Sequence, residues 1–447
     1  MALFMDVLDS NILNTAIPIM SHAFHVNPID MKIALISYLL SLAIFIPMSG
    51  WVADKYGTKN IFITAMGVFT LSSIFCGMSH TLLELVIARC FQGIGGAFMI
   101  SLGRLIIART FARHELVNAM NAVVIVVSVA VMVGPFVGGV IVDHLSWQWI
   151  FWVNIPAGIF AILFSSHYLK ETAEKNPKPF DFLGFILFGG GLSLLSFSLS
   201  EMSAPQIDVH LIIALMIVSF FMLIVYCFHA LRIQHPVIRV TLFKIRTFRV
   251  SVFGNLFARL GFGGMPFLLP LMQQLGFGFS AQLSGLLLLP IALGIIFSKL
   301  VAVHGLKRLG YRKFLLINTF LVGLLVWTFQ SITSATPIYG IALLTFILGV
   351  FISAQFTGMS SLAFADLDPK DLSASTSITS TTQMLAQSFG VAVGAILLRF
   401  YSEKINHSLK LTTAIFHHAF FILGIITFLS ASIFIFLKAG DGKQMFQ

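Results

Sequence analysis

The stretch Gly50-Trp-Val-Ala-Asp-Lys-Tyr-Gly-Thr-Lys-Asn-Ile61 is a short polar hinge between two apolar runs, roughly residues 32–52 and 60–78. Each run is long enough to cross a bilayer as a helix, which takes about 20 apolar residues. A hinge this short cannot be a domain, so it must fold the chain straight back on itself. Gly50 and Gly57 allow the tight backbone path, and Lys55 and Lys59 mark the side that stays in the cytoplasm. Asp54 is the unusual member, because a carboxylate at a membrane boundary needs a cation or a helix N-terminus beside it. A fainter copy of the hinge returns at Val303-His-Gly-Leu-Lys-Arg-Leu-Gly-Tyr-Arg-Lys313, with Gly310 opposite Gly57 and Lys307 in the place of Asp54. The chain reads as a duplication.

Composition widens this local reading to the whole molecule. The 447 residues are 58% hydrophobic and 10% charged, with a mean hydropathy of +0.96. A soluble domain carries about 25% charged residues, so the class is a polytopic membrane protein. A net charge of +10 does not make it a nucleic-acid binder, because the basic residues are scattered through short connections rather than gathered on one face. With the loops assigned alternately to the two sides, 20 of the 27 Lys and Arg residues fall on one side, in the loops at 55–59, 109–113, 170–178, 232–249, 299–313, 370 and 438–443. The positive-inside rule puts that side, and the C-terminus with it, in the cytoplasm. Cys76, Cys90 and Cys227 have no CxxC spacing and form no disulfide or metal framework. No phosphate-binding loop for ATP hydrolysis is present in the sequence.

About fourteen spans can be placed along the chain, and the longest polar interruptions are 170–181 and 232–249. Between them lie two spans that carry Gly189-Gly190-Gly191 and almost no charge. The expected fold is all-α, two six-helix bundles plus two extra helices. Its units are an N-terminal bundle over 1–168, a linker with an inserted helix pair over 169–230, and a C-terminal bundle with a short cytoplasmic tail over 231–447. Transporters built from repeated halves keep their site near the midplane between them.

Polar residues inside such spans are the candidates for function. On the first span Asp6, Asp9, Ser10 and Asn14 share one face of about 140° at 100° per residue. A carboxylate in a spanning helix is expensive unless something recovers its solvation. Asp6, close to the helix start, fits a charge reaching the headgroups, whereas the short side chain of Asp9 cannot snorkel that far. Only eight residues precede Asp9, about 12 Å of helix against a core of about 30 Å, so the expectation is a chain that starts upstream of Met1 or a frayed first turn. On the fourth span Arg89 lies about 10 Å in from the outer end. A guanidinium there is either an acid's partner or a pin bonded to carbonyls, and Gln92 and Gly93 follow it. Arg104, toward the other end of that span, is a candidate partner for Asp54. The fifth span holds Gly134-Pro-Phe-Val-Gly138-Gly139, where small residues allow close packing and Pro135 bends the helix. Trp147-Gln-Trp-Ile-Phe-Trp152 reads as an interfacial aromatic belt. In the second half Arg259 has no acid in its own span, and Gln355, Gln383 and Gln387 add polar groups. No acid lies well inside any span of that half.

The combined pattern resembles the fourteen-span drug/proton antiporter branch of the major facilitator superfamily. The likeness runs over nearly the whole chain. It is carried by Leu8-Asp9-Ser10-x-x-x-Asn14-x-x-x-Pro18, the Gly50–Lys59 loop, Arg89-x-x-Gln92-Gly93 and Gly134-Pro135-x-x-Gly138-Gly139. It implies proton-driven efflux of amphipathic compounds from a bacterial inner membrane, with no cofactor beyond the proton gradient and no metal. Asp9, with Arg89 and Asp6, would couple the proton. The loop Gly50, Asp54, Lys55, Gly57, Lys59, with Arg104, would act as a conformational latch. The span-five motif is the one that the family associates with antiport, and Asn14, Gln92, Arg259, Gln355, Gln383 and Gln387 are candidates for the substrate cavity. Partners implied are the bilayer, a small-molecule substrate, the proton and a periplasmic adaptor protein. Thr58 departs from the family loop, which has a basic residue there. An importer, symporter or facilitator on the same scaffold is the competing function. A membrane-embedded enzyme would need a catalytic motif that the sequence lacks, and a structural or sensory membrane protein would not need Asp9 and Arg89 buried.

Overall fold

Lipid offers no hydrogen bonds, so an apolar run crossing it must satisfy its backbone internally, and the helix does so. The structure, a computed structural model, describes all residues except 112, 172–178, 205–207, 369–370, 407–409, 439 and 443–447, so parts of the expected linker and tail lie outside the described residues. Every regular element among the described residues is helical. The first half runs α1 (Ala2–Ala23), α2 (Lys32–Tyr56), α3 (Thr58–Met78), α4 (Leu82–Thr110), α5 (Arg113–His144), α6 (Trp149–Trp152) and α7 (Asn154–Tyr168). The pair α8 (Phe182–Glu201) and α9 (Val209–Arg232) follows. The second half runs α10 (Arg246–Phe262), α11 (Met265–Leu271), α12 (Ala281–Leu286), α13 (Leu289–Thr328), α14 (Ile338–Phe364), α15 (Leu372–Asn406) and α16 (Thr413–Ser430).

Twelve helical stretches among the described residues are long and apolar enough to span a bilayer. One of them, Ala281–Ser331, covers 51 residues and turns back at Gly310, whose φ of 68° no helix residue adopts. Polar residues hold α1, 22 residues long, below the apolar level of the rest. With Ala281–Ser331 divided at Gly310 and α1 included, the crossings number fourteen.

Within the first half α4 packs on α2 and α3, and α1 on α5; within the second, α13 packs on α14 and α16, and α10 on α15 and α16. The pair α8–α9 rests on α2 and α15, the helices through which the halves also meet. Its glycine triplet has a use in packing: Ser219 Oγ donates to the Gly191 carbonyl at 2.7 Å, and a side chain at Gly190 or Gly191 would run into Met222 or Leu223.

The two faces of the bundle differ. At the face opposite the Gly50–Lys59 loop the halves are sealed together. Asp143, at the end of α5, accepts the N–H of Ala281 at 3.3 Å and of Gln282 at 2.7 Å, which are the free donors at the start of α12. His144 and Gln282 are 3.1 Å apart. The span-five motif makes this possible. Gly134 and Gly138 let α1 approach, and Gly139 faces the Ala281 carbonyl with no room for a side chain. Gly285 faces the Pro135 carbonyl in the same way, and Thr15 Oγ1 donates to that carbonyl at 3.2 Å.

At the loop face each half has its own tight turn and its own caps. Gly57 turns α2 into α3 at φ 94°, and Gly310 makes the corresponding turn in the second half. Both positions are in the left-handed region that glycine tolerates. The start of α3 is capped by Glu171, which accepts the N–H groups of Lys59 at 3.2 Å and Asn60 at 3.1 Å. Lys59 Nζ donates to the Ser166 carbonyl at 2.7 Å. In the second half Arg246 holds Asp441 through two bonds of 3.0 and 2.5 Å. Burial alone would raise the Asp441 carboxyl, but Arg246 and the Lys438 N–H outweigh it and hold it below its ordinary value.

A methyl group at Gly139 has only backbone to push against, and such overpacking costs about 1–3 kcal/mol. Gly139→Ala is expected to part the α5–α12 seam, so that a cysteine at Gln282, in a background without the three native cysteines, labels faster with a membrane-impermeant maleimide. Gly67→Ala, where a new methyl meets nothing, is the control and should leave the rate unchanged. Equal rates in both variants would show that the seam tolerates the group.

Candidate functional site

A charge buried in a helical bundle has to be answered by groups on neighbouring helices. Asp9 on α1 and Arg89 on α4 answer each other: Arg89 Nη1 donates to Asp9 Oδ2, with both side chains fully buried. Spacing puts the next partner on the same face of α4. Gln92, three residues on, accepts from Arg89 Nη1 at 2.7 Å and donates to Asp9 Oδ1 at 2.9 Å and Ser73 Oγ at 2.8 Å. Asn154, the first residue of α7, donates to Asp9 Oδ1 at 3.0 Å. Arg89 Nε donates to the Ala34 carbonyl at 3.3 Å, and the guanidinium lies 4.2 Å from the centroid of the Tyr38 ring. Helices α1, α2, α3, α4 and α7 therefore converge on one ion pair. Of the two sequence readings for Arg89, the structure gives the acid's partner and supplies one carbonyl besides.

Asp6 differs from the expectation of a charge reaching the headgroups. It is buried, and Tyr38 Oη donates to its Oδ1. A side chain at Gly96 would run into both groups, so that glycine is what lets α4 pass beside them. Tyr38 thus touches both acids' surroundings, hydrogen-bonded to Asp6 and stacked under Arg89. Sequence reading missed Tyr38, Asn154 and Ser73, because a tyrosine or asparagine in an apolar run carries no spacing signal of its own.

Between the halves lies a cavity of about 170 Å³, bordered by Asn11 and Asn14 of α1, Pro135 of α5, Arg259 and Phe262 of α10, and Gln387 of α15. Of the six cavity candidates, Asn14, Arg259 and Gln387 border this cavity. A small recess that shares Asn14, Gly263, Pro266 and Gln387 with the cavity continues to Tyr38 and Arg89. The remaining cavity candidates are elsewhere. Gln92 belongs to the ion-pair network. Gln355 is buried inside the second half, donating to Thr319 Oγ1 at 2.6 Å and accepting from Asn318 at 2.8 Å. Gln383 is half-buried on α15 and does not border the cavity. A larger space of about 720 Å³ lies between α3 and α4, lined by Leu71, Phe75, Met78, Ile87 and Phe91, all outward-facing residues that lipid covers. Its lining includes neither Asp9 nor Arg89.

Other expectations shift in detail. Arg104 is exposed. Lys55 lies over the Trp51 and Tyr56 rings at 4.9 and 5.1 Å. Lys32, at the start of α2, and Arg399, within α15, are buried. Of the expected aromatic belt, Trp149 is exposed, but Trp147 turns inward against Phe24 at 5.1 Å between ring centroids. Among the described residues no cluster of His, Cys, Asp and Glu could hold a metal ion.

A many-span bundle with a polar-lined cavity between repeated halves defines a membrane transporter. The Major Facilitator Superfamily profile matches residues 1–329 and again 251–444, and the chain belongs to that family. The relative named "Putative multidrug resistance protein MdtD" in Enterobacter sp. (strain 638) is 34% identical over 98% of this chain and 91% of its own length. The "Probable transport protein HsrA" of Haemophilus influenzae is 36% identical, covering 97% of this chain and 92% of its own. Among solved structures, a D-xylose–proton symporter shares the fold with a TM-score of 0.68 at 14% identity, over 99% of this chain and 98% of its own. The human organic anion transporter MFSD10 does so at 0.61 and 15%, over 97% of each chain. The chain is a transporter and not an enzyme.

Removing one partner of a buried ion pair leaves the other uncompensated and costs about 3–5 kcal/mol, whereas an apolar pair of similar volume is close to neutral. Asp9→Asn is therefore expected to lower the unfolding midpoint clearly, and Asp9→Leu with Arg89→Met to recover most of the loss. Unfolding of the purified proteins in detergent, followed by tryptophan fluorescence, reads both. A double variant less stable than either single one would mean that the pair does not act as a unit.

Proposed function

We propose that this protein exports amphipathic small molecules across the bacterial inner membrane in exchange for protons, by alternating access. The observation that carries the proposal is the buried Asp9–Arg89 pair, whose Arg89 lines a small recess that shares Asn14, Gly263, Pro266 and Gln387 with the central cavity. A proton arriving on Asp9 neutralises the carboxylate and removes the charge that Arg89 answers. Arg89 then has to lean on Gln92, the Ala34 carbonyl and the Tyr38 ring, so protonation changes the packing among α1, α2 and α4. Such a change biases a two-state equilibrium only as far as it favours one state over the other. Asp6, beside Tyr38, is a second proton acceptor on the same path.

The two moving bodies are residues 1–168 and 231–447, with 169–230 between them, and the loop face and C-terminus lie in the cytoplasm. Twenty of the 27 basic residues on that side support the orientation. On this reading the sealed end is the outer one and the state is inward-facing. Its cavity is below the roughly 300–1,000 Å³ of a drug-sized site, and loading a substrate must widen it toward the cytoplasm. The loop around Asp54 is proposed to weight the two states. Relatives named for multidrug resistance support drug-like cargo, and the glycine motif of α5 supports exchange over co-transport.

Proteoliposomes with an imposed pH gradient and a panel of fluorescent amphiphiles test the proposal. Inward-acid and inward-alkaline gradients should give transport in opposite directions, with the substrate moving against the proton. Asp9→Asn should abolish the gradient-driven part while substrate binding to the folded fraction survives. Asp9→Glu, which still titrates, should restore part of the pH dependence. If Asp9→Asn pumps at near wild-type rate with unaltered pH dependence, the proton does not ride on Asp9. Movement of substrate and proton in the same direction would make the protein a symporter.

A further inference from the structure

The central cavity contains a charge that no carboxylate among the described residues pairs with. Arg259 projects from α10 beside the break at Gly263 and Gly264, where α10 gives way to α11 and the backbone of α15 passes against it at Gly390. Its Nε donates to Asn255 Oδ1 at 2.8 Å, and its guanidinium carbon lies 6.0 and 5.7 Å from the ring centroids of Phe262 and Phe356. The two terminal nitrogens make no hydrogen bond among the described residues, and no carboxylate there pairs with them. No acid borders the cavity. The contrast with Arg89, matched by Asp9 and Gln92, is complete.

A cation held between transmembrane helices is costly unless something compensates it. Two aromatic faces and one amide recover only part of the lost hydration. The missing counter-charge therefore has to come from the molecule that enters the cavity. The free edge of a guanidinium presents two parallel N–H donors, a fork that fits a carboxylate or sulfonate. Around it the walls are apolar, with Met265, Ile291, Leu348 and Ile352 beyond Phe262. The recess that continues from this cavity ends on Arg89, whose Nη2 has no partner. A second positive group thus borders the same space, and its own acid is already engaged on the far side.

We propose that the transported molecule is an amphipathic organic anion, with its acidic group on Arg259 and its apolar body against Phe262 and the aliphatic wall. This rests on the transporter reading above and narrows its substrate class. A cationic amphiphile would meet like charge at the one point where the cavity offers an ionic contact.

The test uses the full-length protein in lipid nanodiscs near neutral pH, without any proton gradient. The probes are phenylalkyl and naphthylalkyl carboxylates, each with the amide and the primary amine of the same skeleton, and binding is followed by isothermal titration calorimetry. The carboxylates are expected to bind about tenfold or more tightly than their amides, and the amines to bind least. Arg259→Gln should erase that preference, a loss of about ten- to a hundredfold for the carboxylate. Arg259→Lys should retain part of it, since the charge remains but the fork is gone. The empty Arg259→Gln protein should unfold at the same temperature as wild type or higher, because a cation held between helices without a carboxylate partner has been removed. Amines binding more tightly than carboxylates, or no carboxylate preferred over its amide, would overturn the proposal, as would an Arg259→Gln variant that keeps the preference. Because no gradient is applied, any of these results leaves proton coupling at Asp9 standing, and loss of that coupling in proteoliposomes would leave this binding result intact.

Discussion

The ion pair between Asp9 and Arg89 is the constraint from which the first half of the molecule is built. Two charges removed from water and lipid headgroups are tolerable only when geometry is good and the remaining donors and acceptors are met. Here α3 supplies Ser73, α4 supplies Gln92, α7 supplies Asn154 and α2 supplies a carbonyl and an aromatic face. Each helix of the half that touches the pair is thereby fixed in rotation, since a turn of one residue would carry its polar group to the lipid side. Hydrophobic contact alone would not fix rotation in a membrane, where lipid is as apolar as a leucine.

The second half copies the scaffold but not this centre. Where the first half buries an ion pair, the second has a neutral network of Asn318, Gln355 and Thr319 inside its own bundle. A cation of that half, Arg259, borders the cavity at the seam. The duplication has therefore divided the labour: a titratable group sits within one half and a fixed charge sits at the boundary between them. Neutral hydrogen bonds keep their strength whatever the pH, so the second half can serve as a rigid counterpart while protonation acts on the first.

Much of this was legible in the chain. Apolar runs gave the crossings, because a bilayer allows few alternatives to a helix, and the repeated Gly57 and Gly310 turns betrayed the duplication through a backbone angle that glycine accommodates. Asp9 and Arg89 stood out because charge in a span is rare. What stayed hidden was partnership. Tyr38 and Asn154 are ordinary residues in apolar runs until the fold places them beside an acid. Gln92, Gln355 and Gln387 look alike in sequence, yet one serves an ion pair, one a bundle interior and one the cavity, since which face each presents depends on the rotation of its helix. Glu171 gave no sign that it caps α3, more than a hundred residues earlier in the chain.

The seal between the halves is built differently from the interior of either. It includes a carboxylate on two backbone N–H groups, a Gln274 side chain donating to the Thr15 carbonyl, one histidine–glutamine contact, glycine backbones in close approach and apolar side chains of both halves. None of these buries a charge that separation would strand, since Asp143 and the free end of α12 both lie at the membrane surface, where water can replace each lost bond. Breaking the Asp9 network would strand charge in a low dielectric. Under the proposed alternating access, the weaker surface is the one that would part, and each bundle would move as a body with its polar centre closed. That difference lets α5 carry the motion: its Gly134 and Gly138 keep it tied to α1 within its own half, while Gly139, one residue on, faces the half from which it must separate.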